Sequence, residues 1–117
     1  MQNKDIIWKI GEEVARKYLE DKGYEIIDQN YSTKYSEIDL IVKKNGILIF
    51  VEVRTKRSSA FVSPEESIDY KKLKKLYWNA EAYMANKKYK GQSRVDAICI
   101  ILDFNNNVEK LEHYEGI

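Results

Sequence analysis

Residues 37–54 read EIDLIVKKNGILIFVEVR, two runs of alternating side chains joined by a short polar turn. Asn45-Gly46 between such runs favours a two-residue type I′ turn, because both residues tolerate positive φ. The sequence therefore predicts a β-hairpin with strands over residues 37–43 and 47–55. This hairpin decides the fold, because it fixes which side chains of the two strands face each other.

The predicted register places two acidic side chains opposite each other. Asp39 is expected to face Glu52, and Glu37 to face Arg54, all on one face of the sheet. Opposed side chains have Cβ atoms about 4.5–5.5 Å apart, and two carboxylates at that distance repel. Mg²⁺ is a natural neutraliser, because it binds one or two carboxylates together with substrate phosphates. The alternative is a solvated sheet face with a simple Glu37–Arg54 pair.

The remaining segments predict one α/β (α+β) domain with a mixed sheet between helices. The predicted elements outside the hairpin are a helix over 4–22, a strand over 24–31, a polar loop over 56–62, a helix from Ser63 to about Lys87 with Pro64 and Glu66 in its first turn, a buried strand over 94–102 and an edge strand over 108–114. The predicted order is therefore α-β-β-β-α-β-β.

Length and composition exclude several classes of protein. The chain has 117 residues, which predicts a single domain over 1–117. One Cys and one His exclude a disulfide within the chain, a Cys-based zinc site and His-centred triads. No apolar run approaches a membrane span, and the N-terminus lacks the features of a secretory signal, so we expect a cytoplasmic protein.

The net charge of +1 conceals a separation of charge along the chain. Residues 54–94 carry 11 basic and 4 acidic side chains, a net charge of +7, and the remainder carries −6. Such separation favours a one-sided phosphate-binding surface, although a solvated Lys-rich helix face is the simpler interpretation. The candidate nucleic-acid-binding residues in this block are Lys56, Arg57, Lys71, Lys72 and Lys75.

Several motifs resemble those of a known family. Asp39, followed by Glu52-Val53-Arg54 and a basic helix, resembles the signature of the PD-(D/E)XK nuclease superfamily. A wider set of motifs is similar to the YraN-like family of uncharacterised bacterial proteins, from about Gly11 to Leu102. These motifs are Gly11-Glu12, Ala15, Tyr18-Leu19, Gly23-Tyr24, Asn30-Tyr31, Glu37-Ile38-Asp39-Leu40-Ile41, Phe50-Val51-Glu52-Val53-Arg54, Lys72 and Arg94-Val95-Asp96.

The resemblance implies a restriction-endonuclease-like, three-layer fold related to that of archaeal Holliday junction resolvases. Asp39 and Glu52 would then be metal-binding carboxylates. Glu12 would match the additional acid that resolvase-like members bring to the metal. Arg54 occupies the position of the signature lysine, and Lys72 matches a basic position of the second helix.

Three positions depart from the signature. Ile38 stands where a Pro precedes the Asp, Ser36 replaces the usual Gly, and Arg54 replaces the lysine. Because Arg stays protonated, it can stabilise negative charge but cannot act as a general base. A catalytic base is therefore expected to be metal-bound water or Glu37.

These observations predict an endonuclease that uses Mg²⁺ or Mn²⁺ and acts on structured or branched DNA in repair or recombination. The alternative is a non-catalytic nucleic-acid-binding module that keeps the nuclease fold. A third interpretation is an interaction domain that dimerises through strand 108–114 or exposed aromatic residues. Tyr77 and Trp78 cannot share one helix face, so one is expected in the core and the other at a base or a dimer interface. We expect DNA and a second copy of the chain, in a homodimer, as partners, and neither a membrane nor a small-molecule cofactor.

Overall fold

A computed structural model describes residues 3–58 and 69–117. The elements in chain order are α1 (Asn3–Asp21), β1 (Glu25–Ser32), β2 (Glu37–Lys44), β3 (Ile47–Arg57), α2 (Tyr70–Asn86), β4 (Gln92–Leu102) and β5 (Val108–Tyr114). This is the predicted order α-β-β-β-α-β-β, which is confirmed. Within the described ranges, neither helix is long and apolar enough to cross a membrane.

The five strands form one mixed sheet in the spatial order β1-β2-β3-β4-β5. The β3–β4 pair is parallel, and the other three pairs are antiparallel. A parallel pair cannot be joined by a tight turn, and here α2 lies in the connection between β3 and β4. The predicted edge position of β5 and the predicted interior position of β4 are both confirmed.

One helix packs on each face of the sheet, which gives the expected three layers. Ala15 and Leu19 of α1 pack in one apolar cluster with strand residues such as Val51. Leu76 and Tyr83 of α2 pack in the other cluster. Successive residues of a strand point to opposite faces, so β3 contributes to both clusters and is buried on both sides. The fold is therefore a three-layer, mixed α+β domain.

The predicted hairpin register is confirmed as far as the ladder extends, and the ladder stops before the predicted Asp39–Glu52 and Glu37–Arg54 pairs. Asn45 and Gly46 have φ values of 52° and 77°, as a type I′ turn requires. The β2–β3 ladder runs from Lys44 opposite Ile47 to Leu40 opposite Val51. The side chains that follow this last pair are those of the candidate site.

Two predicted boundaries are corrected. Strand β3 runs through Lys56 and Arg57, because its parallel pairing with β4 continues to Leu102, so these residues are not in a loop. A continuous helix from Ser63 is also wrong. Asp69 has an extended backbone, with φ −88° and ψ 167°, and its side chain accepts a hydrogen bond from Lys72 N, so α2 begins after it. Ser63, Pro64 and Glu66 themselves lie outside the described residues.

The prediction that Tyr77 or Trp78 is a core residue is wrong. Both are exposed, at 43% and 45%. The inward positions are taken instead by Leu76, Asn79 and residues one turn further along α2. A fully buried Asn79 shifts the inward face of this helix, and the sequence pattern did not indicate a polar residue there.

Candidate active site

A pocket of about 270 Å³ lies where the hairpin strands meet both helices. Trp8 of α1 and Lys72 of α2 contribute to its wall, together with residues of β2 and β3. The acidic and basic side chains that line it are Glu37, Asp39, Glu52, Arg54 and Lys72. The two helices and the hairpin thus supply one concave, charged site.

Asp39 occupies the first position beyond the last ladder pair of β2 and β3. Its Oδ2 accepts a hydrogen bond from Val53 N at 2.7 Å. Asp39 and Glu52 are 7% and 5% exposed, so both acidic side chains are taken into the protein. A carboxylate is costly to bury without compensation, and these two positions are not part of the solvated sheet face that was the alternative interpretation.

Three carboxylates converge beside the pocket. Glu12 of α1 and Glu37 and Asp39 of β2 each offer one oxygen, and these atoms lie within 4.8 Å of one another. Glu12 and Asp39 also share a side-chain hydrogen bond. The sequence predicted a metal set of Asp39, Glu52 and Glu12, whereas the carboxylates that cluster in the described part of the chain are Glu12, Asp39 and Glu37, without Glu52.

Glu12 reaches the sheet because α1 approaches β3 closely at Gly11. A Cβ at Gly11 would lie 1.8 Å from Thr55 Oγ1 and 2.8 Å from Thr55 Cβ. Only glycine therefore allows this helix position against this strand. The next residue is Glu12, so the close approach directly sets the distance from its carboxylate to the hairpin.

Asn30 of β1 holds Glu12 in place, and the sequence did not predict this role. Its amide nitrogen, oriented by its hydrogen-bond partners, donates to Glu12 Oε1 at 3.1 Å and Oε2 at 3.2 Å. Its φ of 51° lies in the left-handed region, which Asn tolerates better than most residues. The Asn30-Tyr31 motif was the only signal in the sequence.

The pKa values of two carboxyl groups in this cluster, Asp39 and Glu12, are raised. Burial raises the pKa of Asp39 to about 8, and the negative charges of Glu52, Glu12 and Glu37 add to this effect. The hydrogen bond from Val53 N opposes the increase. Burial also raises the pKa of Glu12, against the hydrogen bond with Asp39. Without a cation, the cluster therefore retains a proton near neutral pH.

Two basic side chains face Glu52. Lys72 Nζ lies 3.3 Å and Arg54 Nη1 3.5 Å from Glu52 Oε2. The β2–β3 ladder ends before it reaches the predicted Glu37–Arg54 pair, and Glu37 pairs instead with Ser32 of β1. The carboxylate cluster thus lies on α1 and β2, and the two basic side chains that pair with Glu52 lie on β3 and α2.

The other predicted nucleic-acid-binding residues do not line this pocket, and they lie on β3 and α2. Lys56 and Arg57 line a neighbouring hollow together with Trp8 and Arg54. Arg57 also donates to the carbonyl oxygen of Asp103 at 2.7 Å, so its guanidinium is partly committed to the fold. Lys71 and Lys75 are exposed on α2.

The donor set fits a hard divalent cation. All three clustered groups are carboxylates, and oxygen ligands of this kind suit Mg²⁺ or Mn²⁺. The raised pKa of Asp39 gives a second reason, because a cation among these groups would favour their ionised forms. Glu12, Glu37 and Asp39 would hold such an ion, with Glu52 beside them.

The fold and the site together define an α+β domain with a carboxylate cluster between two helices. The family model described as "Uncharacterised protein family UPF0102" matches residues 11–100, and the chain belongs to this family. This confirms the YraN-like resemblance. A UPF0102 protein of Thermotoga petrophila is 43% identical over 110 residues, covering 94% of each chain. One from Persephonella marina is 43% identical over 101 residues, covering 86% of this chain and 84% of its own. UPF0102 protein TTE1452 of Caldanaerobacter subterraneus is 37% identical over 113 residues, covering 95% and 93%.

Proposed function

We propose that this protein is an endonuclease that uses Mg²⁺ or Mn²⁺ to hydrolyse phosphodiester bonds in structured or branched DNA. The observation that carries this proposal is the single pocket in which Asp39 and Glu37 face Arg54 and Lys72. Carboxylates for a cation and basic groups for a phosphate are the two requirements of metal-assisted phosphoryl transfer.

A divalent cation bound by Glu12, Glu37 and Asp39 would supply Lewis-acid stabilisation of the negative charge that develops on the phosphate. The chain's own contribution is to hold these three groups in place before substrate arrives. Asn30 orients Glu12, and the Val53 amide orients Asp39. Such orientation from outside the ligand set is typical of working metal sites.

Arg54 and Lys72 are suited to bind the phosphate on the opposite side of the pocket. Their side chains are 26% and 46% exposed, so both can contact a strand that enters from solvent. Arg54 stays protonated and would stabilise the pentacovalent, negatively charged phosphate of the transition state. Lys72 has a flexible side chain, and its ammonium group would leave its ion pair with Glu52 to bind a phosphate oxygen.

Glu37 is the best placed residue to accept a proton from the attacking water. It is the exposed member of the cluster, whereas Asp39 is buried and Glu12 half-buried. Its Oε2 lies 3.4 Å from Ser32 Oγ, a long hydrogen bond, so one carboxylate oxygen would bind the cation and the other would accept the proton. Arg54 cannot perform this step, because it has no accessible neutral form.

The preference for branched DNA is supported by the resemblance to resolvases and by the separation of charge. The net charge of +7 over residues 54–94 would attract more than one phosphate. Cutting two strands symmetrically at a junction would require two copies of the chain. A homodimer therefore belongs to this proposal.

Cleavage of a panel of linear, nicked, flapped and four-way DNA with Mg²⁺ or Mn²⁺ tests the proposal. We expect cleavage of at least one branched substrate, and a loss of more than 100-fold in Asp39→Asn and Glu52→Gln. Glu13→Gln is the matched control, because Glu13 is the exposed neighbour of Glu12 and pairs with Arg16. Undiminished cleavage in Asp39→Asn would refute the assignment.

The second candidate is a nucleic-acid-binding module without catalysis. It is favoured by the ion pairs of Glu52 with both Lys72 and Arg54, which neutralise an acid that a nuclease would use for its metal. This candidate predicts DNA or RNA binding that is unchanged by EDTA, with no cleavage of any member of the panel. Cleavage of the panel by the wild type, together with DNA binding in EDTA, therefore distinguishes the two functions.

A further inference from the structure

An exposed pair of aromatic side chains lies on the outer surface beside the candidate active site. Tyr35, in the connection between β1 and β2, and Trp78 of α2 have ring centroids 5.7 Å apart at an interplanar angle of 52°. They are 44% and 45% exposed. A hollow of about 390 Å³ lies against both rings, and another of about 320 Å³ lies against Trp78.

The two rings are held in place by a buried polar network. Asn79, the residue after Trp78, is fully buried. The Thr33 hydroxyl donates to Asn79 Oδ1, and Asn79 Nδ2 donates to Ser36 Oγ. Thr33 and Ser36 flank Tyr35, and Thr33 Oγ1 also accepts from Tyr35 N at 3.1 Å. The backbone under both rings is thus fixed by one amide, which lowers the entropy lost on binding.

We infer that Tyr35 and Trp78 form a stacking surface for an unpaired nucleobase of the DNA strand that enters the pocket. The charges around the rings favour this occupant. Lys34 Nζ lies 5.3 Å from the centroid of Tyr35, and Lys74 Nζ 5.7 Å from that of Trp78. A base stacked on an aromatic ring carries phosphates on either side, and lysines beside the ring would meet them.

A protein partner fits this surface less well. Lysine is depleted at the centres of protein interfaces, because its charge must be desolvated there. Glu81 also lines both hollows, one turn beyond Trp78. Of the two lysines, Lys74 lies one turn before Trp78 on α2, in the direction of Lys72, whereas Glu81 lies one turn beyond it.

The position of the surface relates it to the site. Trp78 is six residues after Lys72 on the same helix, a rise of about 9 Å, which is two to three steps of a stacked strand. Tyr35 precedes Glu37 by two residues. Six residues also turn the helix by about 600°, so Trp78 lies about 120° around α2 from Lys72, and a strand with one base on Trp78 would follow the side of α2 toward Lys72. The inference rests on the proposed function for this path, but the stacking itself does not require cleavage.

Binding of a 12-nucleotide single strand and of a 12-base-pair duplex, measured by fluorescence anisotropy in EDTA, tests the inference. We expect Trp78→Leu to weaken single-strand binding about 10-fold and duplex binding less than 2-fold. Trp78→Phe keeps a π-face and should remain within about 3-fold of the wild type. Phe104→Leu makes the same change on another exposed ring, and should leave both affinities unchanged.

Equal single-strand affinity of the wild type and Trp78→Leu would overturn the inference, as would an equal loss for both DNA forms. A wild-type dimer that Trp78→Leu converts to a monomer in sedimentation would also overturn it, because the surface would then be a protein interface. If the wild type cleaves no DNA but shows the expected binding, the stacking surface stands and the nuclease proposal fails. If it cleaves and Trp78→Leu binds normally, only the stacking surface fails.

Discussion

The buried carboxyl group of Asp39 lowers the stability of the fold when it is ionised. Its pKa of about 8 compares with an ordinary value of 3.8, so the folded protein keeps a proton that the unfolded chain has released. The folded state therefore binds more protons between these two pH values. The free energy of unfolding must then fall as pH rises through this window.

We predict that Asp39→Asn removes much of this pH dependence. An Asn oxygen can still accept the hydrogen bond from Val53 N, but no charge develops beside Glu52. In EDTA at pH 8.5 the variant should be more stable than the wild type, with a difference on the order of 1–3 kcal/mol that vanishes near pH 4. Urea unfolding at several pH values measures this. Parallel stability curves for the two proteins would contradict it.

Asn30 controls the same cluster from outside it. We predict that Asn30→Gly lowers the affinity for Mn²⁺ by about 10- to 100-fold, because Glu12 loses its two hydrogen bonds while the left-handed backbone is kept. Isothermal titration calorimetry provides the measurement.

The hairpin offers a matched control for this variant. Asn45 has a φ of 52°, against 51° for Asn30, so Asn45→Gly makes the same chemical change at the same backbone conformation. Its Mn²⁺ affinity should be that of the wild type. An equal loss in both variants would show that backbone flexibility, and not the amide of Asn30, is responsible.

Local sequence was sufficient to predict the hairpin but not all of its neighbours. The turn Asn45-Gly46 fixes the register by itself as far as Leu40 opposite Val51, so the neighbourhood of Asp39 and Glu52, although not their direct pairing, followed from a few adjacent residues. Asn30 could not be placed in the same way, because its role depends on a helix 18 residues earlier in the chain. The start of α2 was misplaced because two capping sequences, at Ser63 and at Asp69, compete within seven residues.

The position of helix α1 against β3 depends on the absence of a Cβ atom at Gly11. We predict that Gly11→Ala costs about 1–3 kcal/mol of stability, since its Cβ would overlap Thr55 and displace the helix from β3. An exposed Gly→Ala change within a helix would instead stabilise by up to about 1 kcal/mol, so the sign alone is diagnostic. Urea unfolding measures the change.

Thr55→Ala separates the two contacts of Gly11. In the double variant Gly11→Ala/Thr55→Ala, the 1.8 Å overlap of the new Cβ with Thr55 Oγ1 is removed, and its 2.8 Å overlap with the Cβ of residue 55 remains. Gly11→Ala should therefore lower the free energy of unfolding less in the Thr55→Ala background than in the wild type. Additive effects of the two substitutions would argue against this packing account.

At the scale of the whole molecule, charge is distributed unevenly. The acidic cluster is drawn from α1 and β2, whereas the lysines of α2 lie on the chain's positive segment. A polyanion should thus be held by the α2 side and presented to the acids. The sequence indicated this separation only as a net charge for each segment. The packing of α2 against β2 and β3 shows which charged side chains border the pocket.

We predict that Lys75→Gln weakens binding of non-cleaved DNA and reduces the slope of log K against log[NaCl] by about 0.7–0.9, because one phosphate contact is lost. Lys110→Gln makes the same change of charge on β5, where Lys110 pairs with Glu112, and should leave the slope unchanged. Binding in EDTA from 50 to 200 mM NaCl measures both. Identical slopes in all three proteins would exclude Lys75 from the DNA surface.

The sheet connectivity has a consequence for the order in which the chain assembles. Strands β2 and β3 meet through a two-residue turn, whereas Ile47 pairs with Gln92, 45 residues later. Closing the short loop costs less entropy, so we expect the hairpin to form early and α2 to bring Lys72 afterwards. Burial of Asp39 beside Glu52 would then occur within the folding nucleus, where it raises the pKa of Asp39. Stopped-flow refolding in EDTA should accordingly be faster at pH 6 than at pH 8.5, and Asp39→Asn should remove most of that difference; equal rates in the wild type would place the burial of Asp39 after the nucleus.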